Sequence, residues 1–187
     1  MSKIITSFLF LFCSMQILAS SILIPMDADT QKNHLKAYGM TYWVLAKQQK
    51  VQWLLNYRGG SFLFPDGESI RKECQIRGVS FEILSDAHAN SILDDISSPS
   101  KNQDAVILEK APRIAVYSPN DKQPWDDAVT MALTYAEIPY TTIYDEEVLG
   151  DKLALYDWLH LHHEDFTGQY GKFYGAYRAT PWYIEGK

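Results

Sequence analysis

The chain has 187 residues and a net charge of −6, with 47% hydrophobic, 13% aromatic and 21% charged residues. That is enough apolar side chain for one packed core or two small ones, and it excludes a disordered chain. No cationic surplus is left to neutralise phosphates, so nucleic acid is excluded as a partner.

Met1-Ser2-Lys3 carries one positive charge, Ile4 to Leu18 is almost entirely apolar, and Ala19-Ser20-Ser21 is small. This is the pattern of a secretory signal peptide over residues 1–21, cut after Ala19, Ser20 or Ser21. The apolar run is short of the roughly 20 residues that span a bilayer. No second run of spanning length follows, so the sequence predicts an exported chain, periplasmic or extracellular, with no integral membrane span after cleavage. Cys13 is no lipoprotein signal, because Phe12 before it is too large for that cleavage site. Export then leaves Cys74 alone, without a disulfide partner. Its distance from Ile70 is a helical spacing, which predicts a buried structural thiol. The alternative, a nucleophile, rests on the basic neighbours Arg71, Lys72 and Arg77.

The mature chain opens with an apolar run, 22–26, that predicts a strand. A helix follows over 30–47, with Leu35, Tyr38, Tyr42 and Leu45 on one face. Residues 51–57 predict a strand, 58–60 a turn and 61–64 its hairpin return. A short helix over 68–77 closes at Gly78, a strand spans 79–84, and Ser85 caps a helix over 86–96. Residues 97–103 are linker-like. A strand over 113–117 and a turn over 118–120 precede a helix that starts near Pro124. Trp125, Ala128, Val129, Ala132, Leu133 and Ala136 form its stripe, and Pro139 ends it. Strands over 140–144 and 156–162 flank a turn of helix at 146–149, and the tail, 168–187, is part helix.

Strands alternating with helices predict an α/β fold with a mostly parallel sheet. The lobes are 22–98 and 112–187, which can also form one domain. Ligands in such sheets sit outside the carboxyl ends of the strands, here 56–61, 117–120 and 162–167.

The densest chemistry is Asp157-Trp158-Leu159-His160-Leu161-His162-His163-Glu164-Asp165, where three of the five histidines meet three carboxylates. On a strand, His160 and His162 share a face and can give two nitrogens to one Zn²⁺, with Glu164 or Asp165 as an oxygen ligand. In a metal-free reading, His162 or His163 is a base and Glu164 orients it. The blander alternative is a sheet histidine whose neighbours shape a loop. Arg58, Gly59 and Gly60 can cradle an anion with backbone N–H groups, or simply turn a hairpin. Together with Asp165 they are the candidate contacts to a small-molecule ligand. Neither a Gly-x-Gly-x-x-Gly nor a Walker loop is present. Trp125, Tyr177, Trp182 and Tyr183 read as packing rather than as a sugar-stacking platform.

Ile24-Pro25-Met26-Asp27, the stretch from Gln31 to Gly39, that from Trp53 to Phe62, and above all Tyr156 to Tyr170 resemble a family of exported Bacteroidetes proteins. These are commonly labelled "asparagine synthetase B". Members are longer than 187 residues, so the resemblance allows a fragment or a short version. The label implies glutamine-dependent, ATP-driven amidation. Such synthetases carry a Cys directly after the initiator Met, where this chain has Ser2, and a Ser-Gly-Gly-x-Asp-Ser loop, of which Gly59-Gly60-Ser61 lacks the flanks. The half from Ile114 resembles the start of a class I glutamine amidotransferase-like domain, with His162-His163-Glu164-Asp165 where that superfamily has oxyanion-loop glycines. No Gly-x-Cys-x-Gly elbow is present.

The expected fold is therefore a three-layer α/β sandwich with a mostly parallel sheet, flavodoxin-like or amidotransferase-like, either whole in short form or incomplete at the C-terminus. The expected role is ligand binding or catalysis at the His-Leu-His-His-Glu-Asp strand end; whether the chain is an enzyme stays open. The alternatives are a non-catalytic structural or interaction module with an envelope protein partner, and, third, the amidotransferase of the label, which would depend on Cys74.

Overall fold

The computed structural model describes residues 20–118, 128–161 and 169–185. Strand β1 (Ser20–Ile24) leads into helix α1 (His34–Ala46), then β2 (Val51–Leu55), β3 (Ser61–Pro65), α2 (Glu68–Arg77), β4 (Glu82–Ser85), α3 (Asp86–Ile96) and β5 (Asp104–Leu108). These strands form a five-stranded sheet in the order β4-β1-β3-β2-β5, antiparallel at every pairing. The second part follows with β6 (Ile114–Tyr117), α4 (Ala128–Ala136), β7 (Thr141–Ile143), α5 (Asp145–Leu149), a 3-10 turn (Lys152–Leu155), β8 (Trp158–Leu161), α6 (Gln169–Tyr177) and α7 (Pro181–Glu185). Its three strands run parallel in the order β7-β6-β8.

The α/β class is thus observed, but in two sheets, and the larger one is antiparallel. The cause is local. The turn over 56–60 sends β3 straight back along β2, and β1 enters between β3 and β4. Because β1 and β3 are interior strands with helices on both faces, both sets of side chains are buried. Ile22, Ile24, Phe62 and Phe64 pack under α1 and α2 with Met40, Val44 and Cys74. Leu23, Leu54 and Leu63 point the other way, onto Ala89, Ile92 and Ile96 of α3. Each such side chain contributes about 2 kcal/mol by leaving water. Strand β5 was not expected. It lies beyond residue 98 and carries the first sheet to Leu108.

Local signals end the helices. The Ser85 hydroxyl accepts the His88 N–H at 3.3 Å and starts α3. Gly78 closes α2 at φ 66°, where its missing Cβ makes the left-handed turn inexpensive. In α1 the buried stripe agrees with the expected one at Leu45 and in part at Tyr42, and differs at the start of the helix. Ala37, Met40 and Val44 face the sheet, while Leu35 and Tyr38 are exposed. A second face of α1, at Gly39, is pressed by α4. A Cβ on Gly39 would sit 1.8 Å from the Ala136 carbonyl oxygen, so α1 and α4 cross backbone to backbone.

Around that crossing the two parts are tied by charge. Lys36 and Arg77 both pair with Glu137, just after α4, and Asn33 Nδ2 donates to the Tyr135 hydroxyl at 2.7 Å. The start of the expected helix, at Pro124 and Trp125, lies outside the described residues, as do residues 1–19. Among the described residues no helix is long and apolar enough to cross a membrane.

Candidate functional site

Strand β6 is central in the parallel sheet, with β7 on one side and β8 on the other. The chain leaves β6 towards β7, returns, and crosses over to β8. Between β6 and β8 the strand order reverses, and the crevice outside the carboxyl ends at such a reversal is where open parallel sheets hold ligands. The register keeps those ends level: Tyr117 pairs with Ile143 on one side and Leu161 on the other.

The side chains at this edge form a small polar set. Tyr117 donates its hydroxyl to Asp145 Oδ1 at 2.5 Å, and its ring lies 5.2 Å from that of Tyr144. Burial first, and the neighbouring Asp145 carboxylate second, raise the Tyr117 phenol well above the ordinary tyrosine range. The hydroxyl proton of Tyr117 is thus committed to Asp145, and the phenol oxygen is left as an acceptor. Ser118 is buried, and its N–H donates to the Ile143 carbonyl at 2.9 Å, which locks the strand end. Glu147 accepts the Tyr144 N–H at 3.0 Å, a bond that holds its carboxyl below the usual range. His160 sits half-buried on β8, paired in register with Val116.

His162, His163, Glu164 and Asp165 follow Leu161 directly in the chain and lie outside the described residues, as do 119–127 after β6. Of the expected zinc pair, His160 is described and His162 is not. Among the described residues no group of three or more His, Cys, Asp or Glu side chains gathers as a metal site.

The opposite end of β8 is structural. Asp157 takes the Arg113 N–H at 2.9 Å, Arg113 Nε at 3.0 Å and Lys110 Nζ at 2.7 Å. Arg113 first, then Lys110, hold the Asp157 carboxyl well below the usual carboxylate range. This carboxylate pins the start of β8 to the start of β6.

The turn over Arg58, Gly59 and Gly60 is a clasp, not an anion cradle. Arg58 Nε reaches Asp27 and Nη1 reaches Glu82, each at 2.8 Å, and Nη2 reaches Thr30 Oγ1 at 3.2 Å. One cation between two carboxylates leaves a net negative charge, which repels an anion. The amides of Gly60 and Ser61 both donate to the Tyr57 carbonyl at 3.0 Å, so neither is offered outward. Gly59 needs its φ of 81°, and a Cβ there would meet the Met26 carbonyl oxygen at 2.4 Å. That close approach lets the Met26 N–H reach the Arg58 carbonyl at 3.1 Å.

Cys74 lies wholly within the core. Burial, aided by Glu73, pushes its thiol up to about 12, with Arg77 opposing. It is the structural thiol of the first expectation and cannot act as a nucleophile there.

A cleft of about 600 Å³ opens between the parts, lined by Tyr38, Tyr42, Trp53, Phe62, Leu133 and Trp158 among others. Two of its polar groups are already used: the Tyr42 hydroxyl donates to the Pro112 carbonyl at 3.2 Å and Trp53 Nε1 to the Gly60 carbonyl at 3.1 Å. It therefore has few groups to orient a reacting molecule, and the strand ends remain the better site.

Asp145 is the residue that sequence reasoning passed over. Its signal, a carboxylate ending the Thr141–Ile143 run, gains meaning only once β7 and β6 are neighbours. No protein-family model, curated protein or solved structure matches the chain.

Proposed function

We propose that this chain is an exported α/β protein of the family labelled asparagine synthetase B, and that it binds a small polar molecule at the carboxyl edge of its parallel sheet. In this reading the second part begins a doubly wound, flavodoxin-like or amidotransferase-like fold. The single observation that supports it most is the strand order β7-β6-β8 with β6 first in the chain, which puts a switch point beside Tyr117, Ser118 and His160. His162 acts as a base there, with Glu164 orienting it, and the Tyr117–Asp145 pair offers oxygen acceptors to the donors of a bound molecule. Glutamine-dependent synthesis is not part of the proposal: the core position of Cys74 and the absent Ser-Gly-Gly-x-Asp-Ser loop both count against it.

The test is a thermal-shift screen of small carboxylic acids, amides, amino acids and zinc sulfate. A binder at 100 times its Kd stabilises by about 2.7 kcal/mol, or about 5–10 °C in a chain of this size. We expect at least one such gain, lost in His162→Ala while the ligand-free Tm is unchanged. A gain that survives both His162→Ala and Ser118→Ala contradicts the reading, as does a complete screen with no gain at all.

A further inference from the structure

Under helix α3 the packing changes character along the sheet. Leu23, Leu54 and Leu63 meet Ala89, Ile92 and Ile96 there. Two residues back along β1 and β2 the same face carries Ser21 and Gln52 instead, because side chains two apart on a strand share a side. At the start of α3, Asp86 and Asn90 share a face with Ala89 and Leu93, at helical spacings. Polar side chains on both surfaces leave the gap unfilled, and a cavity of about 260 Å³ remains. Lys50, Asp86 and Asn90 are exposed and mark its mouth.

The polar groups of this cavity are mixed in kind and unspent. Among the described residues the side chains of Ser21, Gln52, Asp86 and Asn90 have no hydrogen-bond partner. Lys50 is answered by Glu109, 3.1 Å away, and both are well exposed. These charges disfavour both kinds of ion. An anion meets the unpaired carboxylate of Asp86 and finds the Lys50 charge already answered. An organic cation meets the Lys50 ammonium in the same small space. A neutral molecule rich in hydroxyls suits every group: a hydroxyl donates to Asp86 or an amide oxygen, and accepts from Lys50 or an amide N–H. Leu63, Leu93 and Ile107 add an apolar wall for the C–H face of a ring.

We propose that this cavity binds one neutral monosaccharide ring. Asp86 and Asn90, a turn apart on α3, hold one edge of the ring, and Gln52 and Lys50, at the start of β2, hold the other. The volume lies just below the range of about 300–1,000 Å³ that takes drug-sized ligands, which suits a single ring.

The cavity is separate from the strand ends of the parallel sheet, so its probes are sugars, which the thermal-shift screen above does not contain. A ring of about twelve non-hydrogen atoms, held with ordinary efficiency, has a Kd of about 2 mM. Backbone amide NMR of the full chain is recorded with D-glucose, D-galactose, D-mannose or D-xylose up to about ten times that Kd. With at least one of them, the amides of Ser21, Ala89, Asn90 and Ile107 are expected to shift and to saturate. Gln52→Ala and Asn90→Ala each raise the Kd about fivefold, the loss of one hydrogen bond, while unshifted amides in α1 report an intact fold. No saturating shift at these amides with any of the four sugars overturns the proposal, as does an unchanged Kd in both variants. Shifts there with sodium acetate or ethylammonium chloride, and none with the sugars, overturn the neutral class.

Discussion

Gly39→Ala is expected to lower the melting temperature by about 10 °C. The new methyl would lie 1.8 Å from the Ala136 carbonyl oxygen; its place is set by its own backbone and its neighbour is backbone, so no rotamer change relieves the clash. Helix α1 or α4 must move by more than an ångström. That movement also loosens the ion pairs of Lys36 and Arg77 with Glu137. Overpacking of this kind costs about 3 kcal/mol, and each kcal/mol is worth about 2–4 °C in a chain of this length. Gly175→Ala in α6 is the control. Nothing lies within 4 Å of its Cβ position, and alanine favours a helix, so its melting temperature should hold or rise slightly. Circular dichroism melts of both variants give the answer; an unchanged Tm for Gly39→Ala would show that the two parts do not pack through α1 and α4.

Arg58→Met should destabilise the protein by about 2 kcal/mol at pH 7, the worth of charge-assisted bonds discounted for a half-buried site. It removes the bonds to Asp27, Glu82 and Thr30 and leaves two carboxylates facing each other. The effect depends on pH with a definite sign. Bonds from Thr30 first, and then from Arg58, hold the folded Asp27 carboxyl below its ordinary value. Its contribution is therefore complete above about pH 4, the unfolded value, and fades as the pH falls through the lower folded one. Urea melts of wild type and Arg58→Met should differ at pH 7 and converge towards pH 3. Arg58→Lys should not restore the difference, because one ammonium cannot reach three acceptors held in a fork. A gap that widens on acidification would contradict the clasp.

What could be read from the sequence follows the range of the interactions involved. Ser85 and Gly78 announce the start of α3 and the end of α2 because caps act over three or four residues. Ile22-Leu23-Ile24 announces a strand buried on both faces, but the same run suits a parallel strand and an interior antiparallel one. Only its pairing with Phe62–Pro65 and with β4 decides, and that is set some 40 to 60 residues away. The buried face of α1 was read rightly at Leu45 and wrongly at Leu35 and Tyr38, because the close crossing of α4 at Gly39 selects for size rather than hydrophobicity. Strand β5 is an edge strand with Ile107 exposed, so it lacks the alternation that marks a half-buried strand.

The site shows the same division. The histidines after β8 stand out by composition. The partnership of Tyr117 with Asp145 depends on β6 and β7 being neighbours, which no local pattern carries. The reverse error occurs at Arg58-Gly59-Gly60, where Gly59, which suggested a ligand, is required by the approach of Met26. Arg58 finds its carboxylates at Asp27 and Glu82, on segments before and after it in the chain.

The most direct measurement is backbone amide NMR of the protein with mixtures of small carboxylates, amides and amino acids. The account predicts that the largest shift changes fall on Tyr117, Ser118, Asp145, His160 and Leu161, at the level ends of β6, β7 and β8. Changes centred instead on Arg58 to Ser61, or on Trp53 and Trp158 in the apolar cleft, would contradict it.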